Sequence, residues 1–146
     1  MDITSQPERP RESARDGEAH LRLYVLHIGE ELTRVALEEA ARLAPGLDAR
    51  ITLVAVSLVP FPCSLDCPPV APRHLHRELS RLAAASPMTA DVRIVYAREL
   101  MTGLRHVLPG AAVVLLAKRR RIWRTAEERL AVRLRRAGHN VVVVPA

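Results

Sequence analysis

Five short apolar runs alternate with four segments of helical periodicity, and that alternation leaves the chain few folds to choose from. Residues 21–28 (LRLYVLHI) are the first run and end at Gly29. Residues 50–59 (RITLVAVSLV) are apolar nearly throughout, as a strand covered on both faces must be. Residues 91–97 set Val92, Ile94 and Tyr96 against Arg93 and Val95, and AAVVLLA (111–117) and NVVVV (140–144) complete the set. Between the first two runs, residues 30–44 place Leu32, Val35, Ala36, Ala40 and Leu43 on one side. Glu30 and Glu31 suit the positive end of that helix dipole, and Pro45-Gly46 is expected to stop it.

The later helices read the same way. Residues 73–85 turn Leu75, Leu79 and Leu82 inward before Ser86-Pro87, and residues 99–108 carry Leu100, Leu104 and Leu108 before Pro109-Gly110. The last helix opens on Thr125-x-x-Glu128, a capping-box pattern, turns Leu130 and Leu134 inward and meets Gly138 at its end. Strands that alternate with helices require right-handed crossovers and a parallel sheet. The expectation is one α/β, Rossmann-like, doubly wound domain spanning residues 21–146.

At 146 residues, 49% apolar, the chain can bury one ordinary core. Aromatics are few (Tyr24, Phe61, Tyr96 and Trp123), so Val, Leu, Ile and Ala must fill it. Residues 1–20, with Pro7, Pro10 and alternating charges, read as a disordered tail. No apolar run approaches the roughly 20 residues of a membrane helix, and no export signal is visible, so the expected setting is the cytoplasm. Two cysteines are too few for a disulfide scaffold.

The formal charge of +6 is confined to one stretch. Between residues 118 and 136 stand nine basic residues and two acidic ones, Glu127 and Glu128, while the rest of the chain nearly balances. Its first part (Lys118, Arg119, Arg120, Arg121, Trp123 and Arg124) follows the fourth strand, where an α/β fold normally holds phosphate. It reads either as a solvated loop, with Trp123 plugging a vacant crevice, or as an anion site. Such a site would take a phosphorylated metabolite, polyphosphate, or a nucleic-acid backbone with Trp123 for stacking.

Cys63-x3-Cys67 followed by His74-x-His76 sets four metal-capable side chains within fourteen residues. The spacing is not a standard zinc pattern, and two helical histidines two apart project about 200° apart. A metal or redox role is the sharper reading, and small apolar thiols in a proline-rich loop the plainer one. His27, at the end of the first strand, reads as a packed, hydrogen-bonded histidine, with a general base as the alternative. His106 and His139 read as surface or cap positions. No nucleophile elbow, metalloprotease motif or P-loop is present, so no catalytic set and no cofactor is assigned.

VLHIGEELTRVALEEAARLA (25–44), ARITLVAVSLVP (49–60), DVRIVYA (91–97) and LRRAGHNVVVVP (134–145) together resemble the universal stress protein family over residues 21–145. The resemblance implies a five-stranded parallel sheet of order 3-2-1-4-5 with helices on both faces, and a ligand site outside the carboxyl ends of strands 1 and 4. Nucleotide-binding members end strand 1 with aspartate before glycine; here Ile28 precedes Gly29. They follow strand 4 with a Gly-x2-Gly-x9-Gly-Ser/Thr loop. Here Ala117 and Arg120 stand at the first two glycines, Glu127 and Glu128 at the third glycine and its hydroxyl neighbour, and the loop is about three residues shorter.

Glycines let backbone N–H groups approach phosphate, whereas Lys118, Arg119, Arg120 and Arg121 do not. The expectation is therefore a non-enzymatic, universal-stress-type binding or regulatory module without family-type ATP binding. The alternatives are an anion, polyphosphate or nucleic-acid binder, and a metal or redox role for Cys63 and Cys67. The resemblance, with the exposed valine run from Asn140 to Val144, also implies a homodimer through strand 5.

Overall fold

The computed structural model describes residues 21–67, 71–120 and 125–146. The elements run β1 (Leu21–Leu26), α1 (Glu30–Leu47), β2 (Ala49–Leu58), α2 (Pro72–Ala85), β3 (Ala90–Ala97), α3 (Leu100–Val107), β4 (Val113–Lys118), α4 (Ala126–Arg136) and β5 (Asn140–Pro145). The strands form one sheet of order β3-β2-β1-β4-β5, parallel throughout. The expected tail, residues 1–20, lies outside the described residues, as do Arg121, Trp123 and Arg124.

Side chains alternate across each strand, so β1, β2 and β4 supply both cores, while β3 contributes to one. On one face Leu23, Val25, Ile51, Leu53 and Leu115 pack under α1 and α2. On the other, Tyr24, Leu26, Val54, Val114 and Leu116 pack under α3 and α4. β1 is central, with β2 in register from Leu21↔Ala49 and β4 from Leu23↔Val113. The chain winds outward through β2 and β3, then α3 returns it across to β4, and this reversal opens the crevice between β1 and β4.

The largest departures from the sequence expectation fall in α1, β1 and β4. α1 does not stop at Pro45-Gly46 but continues to Leu47. Pro45 cannot donate to the turn before it but leaves the following residues free to stay helical, and the left-handed residue is Asp48 (φ 50°), whose N–H reaches the carbonyls of Ala44 and Pro45. β1 ends at Leu26, two residues early, because Ile28 N–H turns to a side-chain acceptor on α1. β4 is shifted to Val113–Lys118. Thr125 is the N-cap of α4, as expected, with Oγ1 accepting the Glu128 N–H at 3.2 Å, while Glu128 Oε1 accepts from Lys118. Gly138, at φ 97°, follows the end of the helix.

α3 lies close on β2 and β3 because Gly103 has no side chain. A Cβ there would stand 2.6 Å from Val56 Cγ1 and 3.1 Å from Ala97 Cβ. Val56 is stiff at χ1, so the contact can be relieved only by moving the helix. Gly103→Ala should therefore destabilise by about 1–2 kcal/mol, despite alanine's better helix propensity. Urea unfolding measures this, and a variant as stable as the parent would show that α3 is not held at this distance.

Candidate functional site

The carboxyl end of β1 continues as His27-Ile28-Gly29 into α1. Gly29 precedes the helix at φ 110°, a conformation that strongly favours glycine, and its carbonyl accepts the Thr33 N–H at 3.0 Å. Thr33 is fully buried, and its hydroxyl ties the turn together. Oγ1 accepts the Ile28 N–H at 3.3 Å and lies 2.9 Å from His27 Nδ1. We assign the hydroxyl proton to Nδ1, which leaves a neutral ring with its proton on Nε2. Burial lowers the His27 pKa below 6.5, against the raising influence of Glu78 and Glu30. His27 is thus a packed, hydrogen-bonded residue. Ile28, at the position the resemblance gives to aspartate, packs against both cores at once.

Across the crevice, β4 ends at Lys118, the only lysine in the chain. Lys118 Nζ donates to Glu128 Oε1 at 2.7 Å, with the two side chains 34% and 29% exposed. The strand end and the first turn of α4 therefore neutralise each other. Glu127 and Glu128 also place negative charge at the positive end of the α4 dipole, the position a bound phosphate would use. Arg119 and Arg120 are exposed just beyond the strand. Beside the ion pair lies a cleft of about 360 Å³ lined by Ala131, Val132, Arg135 and Val143, toward β5 and away from β1. Ala117 is wholly buried, contributing to the core.

The loop after β2 is organised by a residue that motif reading passed over. Arg98 Nη1 donates to the carbonyls of Val59, Pro60 and Cys63 at 3.1, 3.1 and 2.6 Å. Its guanidinium also lies 4.0 Å from the centroid of the Phe61 ring. Cys63 and Cys67 are free thiols in this loop. The four metal-capable residues do not assemble: His74 faces Glu78 at 3.4 Å, and His76 meets Ser80 Oγ at 3.3 Å. Among the described residues, no group of three or more His, Cys, Asp or Glu is placed to hold a metal. His139 Nδ1 accepts the Ala112 N–H at 3.1 Å, tying the end of α4 to the start of β4.

Sequence reading missed Thr33, Arg98 and the Lys118–Glu128 pair. Thr33 had a visible signal, a hydroxyl next to Leu32 on the apolar side of a helix. The other two join residues far apart in the chain and leave no local pattern.

An open parallel sheet of order 3-2-1-4-5 with this switch point is the universal stress protein fold. Solved structures that share it include a universal stress protein in complex with cAMP and a universal stress family protein from Burkholderia pseudomallei. The first has a TM-score of 0.53 at 16% identity, covering 88% of this chain and 98% of that one. The second has a TM-score of 0.51 at 20% identity, covering 89% and 99%. No protein-family model matches the chain, and no curated protein does. No helix among the described residues is long and apolar enough to cross a membrane.

The depressed His27 pKa has a consequence for stability. The neutral ring's contribution is present above the unfolded value near 6.5 and is lost as pH falls through the lower folded value, because the unfolded chain then binds the extra proton. The parent should lose more stability than His27→Gln between about pH 7.5 and pH 5. Parallel urea titrations check this, and equal losses would remove His27 from the account.

Proposed function

We propose that this chain is a non-enzymatic binding or regulatory module whose switch-point crevice does not take ATP as nucleotide-binding universal stress proteins do. The observation that carries this reading is the Lys118–Glu128 ion pair between the end of β4 and the first turn of α4. On this reading a paired cation and a carboxylate stand where a glycine cradle would offer bare N–H groups. Ile28 adds to it by setting an aliphatic side chain on both cores at the end of β1. Two free thiols fit the reducing setting of the cytoplasm.

One structural neighbour is a complex with cAMP, so a cyclic nucleotide belongs in the same test as ATP. Isothermal calorimetry with both ligands should give no saturable heat. ATP binding that weakens on Lys118→Ala or Arg120→Ala would overturn the reading.

A second reading rests on Arg119 and Arg120, exposed immediately after β4. These side chains, with Arg121, Trp123 and Arg124, would hold polyphosphate or a nucleic-acid backbone by charge and stacking. Binding of that kind weakens steeply with salt. Salt-sensitive retention of polyphosphate or RNA, abolished by the triple replacement R119A/R120A/R121A, selects this reading. Retention unchanged by the replacement rejects it.

We also infer a homodimer through β5, an edge strand on which Val142 is 37% exposed. Sedimentation at micromolar concentration should give a dimer for the parent and a monomer for Val142→Glu. A monomeric parent would remove the dimer from the proposal.

A further inference from the structure

The groove between α2 and β3 has the shape and chemistry of a second site, separate from the switch point. β3 is an edge strand two positions from β1, about 10 Å away across the sheet. The groove is open to solvent along its length and offers about 560 Å³, within the range of about 300–1,000 Å³ typical of small-molecule sites. Its floor is Ile94 and Tyr96, half-buried and two residues apart on the same face of the strand. Its wall is Arg73, His76, Arg77 and Ser80, which recur at helical spacing and form one stripe of α2.

α2 has already met its packing requirement elsewhere. Leu79, Leu82 and Ala83 are buried against the core shared with α1. The Arg73–Ser80 stripe is therefore not the face that holds the helix on the sheet; it overhangs the free side of an edge strand. No carboxylate lines the groove among the described residues. The nearest acid on this helix, Glu78, faces His74 at 3.4 Å. Neither Arg73 nor Arg77 has an ion-pair or hydrogen-bond partner among the described residues. Ser80 Oγ engages His76 Nδ1 at 3.3 Å, which leaves Nε2 to serve a ligand.

We propose that this groove binds a small organic anion, a carboxylate or phosphate carried on a flat apolar ring. Two guanidinium forks match the paired oxygens of such a head group. Tyr96 and Ile94 offer the ring a stacking and apolar surface. An inorganic anion would use only the wall, and a neutral aromatic only the floor, so tight binding requires both parts in one molecule.

The test uses 1-naphthyl phosphate as the probe, with inorganic phosphate and 1-naphthol as separate controls, followed by amide chemical shifts. Saturable shifts are expected in residues 72–80 and 94–97. Affinity should exceed that of either control and fall about tenfold for each of Arg73→Ala and Arg77→Ala. Both arginines are exposed, so these variants should fold, and their unperturbed spectra would confirm it. The proposal is overturned by any of three results: no saturation up to about 1 mM, shifts confined to the β1–β4 edge, or affinity unchanged in the double variant. Failure here leaves the reading of the switch point untouched, because the two sites share no residue.

Discussion

A parallel sheet cannot present a face to water, because its crossovers carry a helix over each strand pair and its strands are apolar on both sides. Everything else in this molecule follows from meeting that demand with few aromatics. Leu23 and Val25 on one side of β1, and Tyr24 and Leu26 on the other, are all nearly or fully inaccessible. α1 and α2 cover one face and α3 and α4 the other, which forces the chain to reverse direction beside β1. The crevice is the residue of that reversal. It exists whether or not a ligand uses it, so its presence is an argument about topology, and only its lining is an argument about function.

That distinction explains what could be read from the sequence. Runs such as RITLVAVSLV record burial on both faces, a local property, so strand order and helix placement were legible from pattern and resemblance together. Boundaries were less so. Pro45-Gly46 reads as a stop, yet the left-handed turn fell on Asp48, because a proline in the last turn obstructs only the turn behind it. The end of β1 moved inward because Thr33 Oγ1, five residues on, accepts the Ile28 N–H, a tertiary partner invisible to strand periodicity. At the end of strand 4 the sequence shows chiefly which of the resembling family's residues it lacks. The absence of the family's glycines can be counted directly in the sequence, whereas the Lys118–Glu128 pair needs the fold to bring β4 and α4 together.

The charge pattern divides along the same line. A run of cations after β4 draws the eye, but its first member is already paired, and the α4 terminus behind it carries two carboxylates. Net charge there overstates what an anion would meet. On α2 the charge is modest and the sequence unremarkable, yet Arg73 and Arg77 stand over an apolar floor with no acid in the lining. An anion is held by unspent charge beside a surface that excludes water, not by the sum of charges nearby. By that criterion the edge groove meets, among the described residues, the physical conditions that the proposed anion site requires.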